Sequence, residues 1–254
     1  MRKKFICTGA AFVVLSLAAA SLGNEALMKD FVSFDRAFIP PLALTNQEKV
    51  NPSKKAMGIL KENWGIFKAK HYEANPKDGQ WKGDLDRVEA SIVAAGKIVE
   101  AGNNLMEAHE RLEEVRYALM AFRKRNHMDY YLDHLSEFHG HMEAIIHTAT
   151  ERDADSLTSK DKEYMGKECA QAVLIWERIQ ALRFDAALFG FNDQKRVEMK
   201  DLIEKEAGAL RKLRTALGEG DNAAIIQSAK GIRPNYANLY KLFGDFDRVM
   251  GGRP

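Results

Sequence analysis

The 254-residue sequence predicts an all-α fold, on three observations. No proline occurs between Pro76 and Pro234, and that interval is loaded with Ala, Leu, Glu, Lys and Arg. Apolar residues recur along it with a helical period, and no alternating Val/Ile/Thr run reads as a strand. The apolar content of 46% and charged content of 29% are those of an ordinary soluble chain, so neither a disordered segment nor a membrane bundle is expected.

The chain opens on a basic stretch, Arg2-Lys3-Lys4, followed by an apolar run over 5–20. That run is shorter than the roughly 20 residues a membrane span needs. Small residues at Ala18–Ala20, Ser21 and Gly23 suit cleavage after Ala20 or Gly23. We therefore expect residues 1–23 to be an export signal, the mature protein to be periplasmic, and no stable membrane span to survive cleavage. Removing three cations takes the formal charge from +2 to about −1. A near-neutral chain gives no electrostatic case for nucleic acid. Cys7 would leave with the signal, and Cys169 alone cannot form an internal disulfide. Its helical context favours a small buried hydrophobe, with a thiolate ligand or an intermolecular bridge as the alternative.

The helices can be placed in order. Asn51-Pro52 reads as a cap followed by proline at the first helical position, opening a helix through Met57, Leu60, Trp64 and Phe67 that ends before Asn75-Pro76. A second runs from about Asp84 to Gly102-Asn103. The third, from Leu105, finishes in Arg123-Lys124-Arg125, with Asn126 suited to a left-handed cap. The fourth is the histidine stretch, to about Ala149. A polar linker over 150–159 leads to a long helix holding Met165, Cys169, Trp176, Ile179, Leu182 and Phe189. Asn192 caps the next, which ends at Gly218; a short segment spans Asp221–Lys230, and a last helix carries Tyr236 to Phe246.

The two halves echo each other. Trp64 and Trp176 stand alike, as do Glu100-Ala-Gly-Asn103 and Gly218-Glu-Gly-Asp221, and Tyr131…Phe138 and Tyr236…Phe243. Two related up-down helical bundles in tandem, over 24–150 and 151–254, account for this order.

Five of the seven histidines lie between His127 and His147. Met128, Leu132, Leu135, Phe138, Met142, Ile145, Ile146 and Ala149 define an apolar face, with His127, His134 and His141 in a seam beside it. Spacing seven separates their Cα atoms by about 10.5 Å along the axis, too far for two to chelate one ion. Glu137 lies three residues after His134 and four before His141, so either pair could supply two ligands. His109, with Glu113 on the preceding helix, is a candidate partner. His139/Glu143 and Glu143/His147 have similar spacing on a face expected to be more exposed.

Imidazole and carboxylate ligands suit zinc, copper, iron or nickel, and haem held noncovalently by His and Met is an alternative. The methionines otherwise read as core filler. No histidines stand at i,i+4, so His-Glu-x-x-His chemistry is excluded, and no nucleophile with a neighbouring base is recognisable.

The segment Tyr236-Ala-Asn-Leu-Tyr-Lys-Leu-Phe-Gly-Asp-Phe246 resembles the closing helix of cytochrome c′/b562-type helical bundles. The resemblance implies a bundle scaffold. It does not extend to c-type haem, because no Cys-x-x-Cys-His occurs. His134-Leu-Ser-Glu137 is similar to the short His-x-x-Glu pattern of imelysin-like periplasmic proteins, with Leu132 where that pattern has glycine. The leading expectation is a nonenzymatic periplasmic protein binding a metal ion or metal cofactor through His134, Glu137, His141, His127 and His109. The alternatives are a scaffold bundle that binds a protein partner or a second copy without metal, and an imelysin-like metallopeptidase relative.

Overall fold

The computed structural model describes residues 25–251 in full and the backbone alone of 10–24. The expected export signal over 1–23 lies outside the fully described residues. Every element found is a helix: α1 (Ala10–Asn46), α2 (Val50–His71), α3 (Trp81–Ala101), α4 (Leu105–Arg125), α5 (Tyr131–Glu151), α6 (Ser159–Ala181), α7 (Ala186–Phe189), α8 (Asp193–Glu219), α9 (Asn222–Lys230), α10 (Arg233–Lys241) and α11 (Phe246–Met250). Among them none is long and apolar enough to cross a membrane.

Packing sorts the helices into two groups. In the first, α1–α4 close a ring in which each helix packs on the next and α4 returns to α1. In the second, α5 packs on α6 and α9, α6 on α8, and α8 on both α9 and α10. The histidine helix α5 thus sits with the second group, whereas a boundary at 150 would place it with the first. α1, α4, α5 and α10 meet between the groups, and one continuous apolar core runs through both.

α1 has no counterpart in the sequence reading. It carries Phe31, Phe34, Phe38, Ile39 and Leu42, all nearly inaccessible, and it runs through Pro40 and Pro41. A proline inside a helix supplies no N–H to the carbonyl four residues back. For Pro40 that carbonyl is Arg36 O, and it accepts instead from the Asp245 N–H at 2.8 Å. Thr45 Oγ1 donates back to Pro41 O at 2.8 Å, a local bond that helps hold the turn after the prolines. Phe34 stacks on Phe38 and meets Trp64 edge-on, with ring centroids 5.5 Å apart in each pair.

Other boundaries differ in instructive ways. α2 starts at Val50 with Lys49 as its cap, so Asn51-Pro52 lies inside the first turn. Here proline is still harmless, because first-turn N–H groups have no helical acceptor. Asn126 is not left-handed; His127 takes that conformation, with φ of 53°, and the next helix begins only at Tyr131. The basic triplet before it is a helix end, as expected. Arg123 grips Asp133, and Arg125 bonds Asp78 and Asp84. The long helix of the second half stops at Ala181 and restarts as α7, because the backbone turns extended at Leu182. Gly218 stays helical, and Gly220 forms the left-handed cap with φ of 78°. Asn192 caps α8 as its sequence position suggested, accepting from Lys195 N.

Candidate functional site

The histidines of α5 do not converge along the expected seam. His127 is off the helix, in the turn before it. His134 Nε2 lies 3.2 Å from Asp129 Oδ1, in the turn just before its own helix. Glu137 bonds Arg178 of α6, and both side chains are about half exposed. His141 Nδ1 lies 2.6 Å from Glu168 Oε2, also on α6. The expected ligands therefore hold three separate partners. His147 points to solvent, as its helical position indicated, with 73% of its side chain exposed. Among the described residues, no group of three or more His, Cys, Asp or Glu side chains is arranged to hold a metal ion.

A different set does converge, where the two helix groups meet. It surrounds a cavity of about 220 Å³. α1 contributes Ile39, Leu42, Ala43 and Asn46 on either side of Pro40-Pro41, with Gln47 just after the helix; α4 contributes His109, Glu113 and Arg116. His139 and Met142 come from α5, and Arg233, Tyr236, Ala237, Tyr240 and Lys241 from α10. Spacing explains why each helix delivers a stripe. His109, Glu113 and Arg116 stand at i, i+4 and i+7, and Arg233, Ala237 and Tyr240 repeat that pattern.

His139 is the reverse of what its position suggested. It is only 12% exposed, less than His134 or His141. Its Nδ1 is 3.0 Å from the Tyr117 hydroxyl, and its ring centroid is 5.3 Å from that of Tyr236. His109 Nδ1 donates to the carbonyl of Leu42 at 3.0 Å. A carbonyl can only accept, so the proton of the neutral ring is on Nδ1 and the Nε2 lone pair is left free. That lone pair sits 3.6 Å from Glu113 Oε1. Burial, and then the charges of Arg116 and Arg233, keep both histidines below their ordinary pKa; for His139 the shift is large. Burial lifts Glu113 above the usual carboxylate range against the pull of Arg116.

Arg116 is the unusual member, a guanidinium 5% exposed. Its Nη1 lies 3.0 Å from Glu113 Oε2, near enough for an ion pair yet misaligned for a hydrogen bond. Nε and Nη1 have no hydrogen-bond partner, nor do both Glu113 oxygens or the Tyr236 hydroxyl. The guanidinium lies over the Tyr240 ring, 4.5 Å from its centroid. Burying a charge this way is costly unless something completes its bonding. Cys169 is buried in α6, where its surroundings push the thiol up and leave it unreactive.

Sequence reasoning reached His109 and noted Glu113, His139 and Glu143, but missed Arg116 and the α10 residues. The available signal was the i, i+4, i+7 run of polar residues on α4, directly beside the apolar face of Leu112, Val115 and Leu119. No family model matches the chain, and neither curated proteins nor solved structures show a match to it.

Proposed function

We propose that the chain is an exported, nonenzymatic binding protein whose ligand lies in the cavity between the two helix groups. One observation carries the reading: Arg116, Glu113 and Tyr236 line the cavity, and five of their polar atoms, covered just behind its wall, lack hydrogen-bond partners. Native proteins rarely leave such atoms unmatched away from a ligand or ordered water. The volume suits a small molecule, being below the range of about 300–1,000 Å³ found for drug-sized ligands.

The test is native mass spectrometry of protein purified from its own cell envelope, with Ala237→Trp as the blocking variant. A small molecule released on denaturation and absent from the variant supports the reading. An empty cavity in both, with the tryptophan merely raising stability, overturns it. N-terminal sequencing of the same sample tests export, with a mature end after Ala20 or Gly23 expected.

A metal ion is the second reading, favoured by one detail. The Nδ1–H of His109 is anchored on a backbone carbonyl while Nε2 faces a carboxylate, the arrangement that orients metal-bound imidazoles. The guanidinium beside Glu113 opposes it.

We further propose that the two helix groups are related copies, with their join at the turn over 126–130. Trp64 and Trp176 are both buried on the second helix of their group, and Gly102 and Gly220 both cap its third helix in the left-handed region. The Tyr131/Tyr236 correspondence does not fit this pairing, because it joins a first helix to a last one.

A further inference from the structure

The charged side chains that line the cavity are unequal in sign. Arg116, Arg233 and Lys241 are cations, and Glu113 is the lone acid. Glu113 is also turned away from use. Both its oxygens are covered, lying against Arg116 and His109. Arg233 keeps 47% of its side chain exposed at the rim, where Glu143 at 2.6 Å holds it in place. Arg116 closes the inner end; Nε and Nη1 are covered, so the little surface it retains faces the cavity. Both arginines lie near enough to His109 and His139 to disfavour their protonation, in addition to burial, which is the larger cause.

Apart from the two histidines and the Asn46 and Gln47 amides, the remaining wall is apolar or aromatic. Ile39, Leu42 and Met142 stand on one side, and the Tyr236 and Tyr240 rings, stacked with centroids 5.8 Å apart, on another. We infer that the ligand is a small organic carboxylate, its acid group held between Arg116 and Arg233 and its apolar body, no larger than a single ring, against the two tyrosines and Met142. Guanidinium groups match a carboxylate in shape and charge, and a carboxylate at the cavity end of Arg116 would add counter-charge to a guanidinium that Glu113 meets without a hydrogen bond. This rests on the cavity reading above and adds the charge class of the ligand.

The experiment uses three single-ring probes of equal size, benzoate, benzamide and benzylamine, titrated calorimetrically into the mature protein at low salt. Benzoate is expected to bind and to raise the melting temperature, with the amide and the amine at least about tenfold weaker. Arg233→Gln, a rim substitution that leaves the core intact, should weaken benzoate by about tenfold, and Arg116→Gln by more. Should Arg116→Gln fail to fold by circular dichroism, Arg233→Gln with the amide comparison still decides. Equal or tighter binding of benzamide or benzylamine overturns the carboxylate assignment and leaves the cavity reading standing. So does failure of all three probes while a copurified molecule is lost in Ala237→Trp. If no probe binds and nothing copurifies, both readings fall.

Discussion

The Asp245 N–H donates to the carbonyl of Arg36 at 2.8 Å, and so fills the helical vacancy that Pro40 creates in α1. The adjacent Gly244 makes the approach possible. A Cβ there would lie 2.9 Å from Ile39 Cγ2 and 2.8 Å from Phe246 Cε2, closer than packed atoms tolerate. Gly244→Ala is therefore expected to lever the turn off α1 and cost about 1–3 kcal/mol, read as a lower urea midpoint. Gly218→Ala is the control. Nothing lies within 4 Å of a Cβ there and the backbone is helical, so a gain of roughly 0.5–1 kcal/mol is expected.

Glu206 on α8 is fully covered and neither oxygen has a partner; burial pushes its pKa up to about 8. The native state then holds a proton that the unfolded chain has released, from the ordinary carboxylate range up to about pH 8, so stability falls as pH rises through that window. Asp35, pushed up to about 6 by burial, adds a smaller fall at lower pH. His109 and His139 act in the opposite sense. Held below their ordinary pKa, they lower stability as pH drops through the range where the unfolded imidazoles protonate. Glu206→Gln is expected to raise stability at pH 9 by on the order of 3–5 kcal/mol and to flatten the melting-temperature profile between pH 5 and 8.

Arg123 reaches from the end of α4 to Asp133 on α5, with Nε 2.9 Å from Oδ2 and Nη2 2.5 Å from Oδ1. It also lies over the Tyr130 ring, whose hydroxyl donates to Asp35 at 2.5 Å. These groups join the two helix groups where the chain passes between them. Asp133→Asn would leave a buried guanidinium without its counter-charge. The expected loss is about 3–5 kcal/mol in urea unfolding, far above that of the exposed Glu137→Gln, within about 1 kcal/mol.

Zinc titration separates the two histidine sets. Because His134 and His141 hold different carboxylates, replacing both with alanine should leave any zinc affinity unchanged. Replacing His109 should abolish it if the second reading holds. An effect confined to the α5 pair would restore the seam as the site.

The all-α fold was legible because period and proline placement speak about each helix separately. α1 was not, since two prolines sit inside it and residues 37–42 are buried almost all round, leaving no amphipathic stripe. The stop at Ala181 was hidden by Leu182 and Phe189, which continue the apolar pattern across the break. The site was half visible. His109/Glu113 and His139/Glu143 have the spacing of ordinary surface ion pairs, and only the meeting of α4 and α5 with α1 and α10 brings His109, Glu113 and His139 together under cover, with Glu143 left at the rim. Arg116 completes an i, i+4, i+7 polar run with His109 and Glu113, a spacing shared by any solvated helix face; its position beside the core face becomes meaningful once α10 covers it.

The contact between Arg36 and Asp245 ties together the two extremities of the described chain, and the cavity wall is built on either side of it. Such distant partners are the slowest to find one another, because the whole intervening loop must be closed first. Recognition by this protein would then be a late acquisition of folding. A nascent or truncated copy could possess nearly every helix and still have nothing with which to hold its ligand.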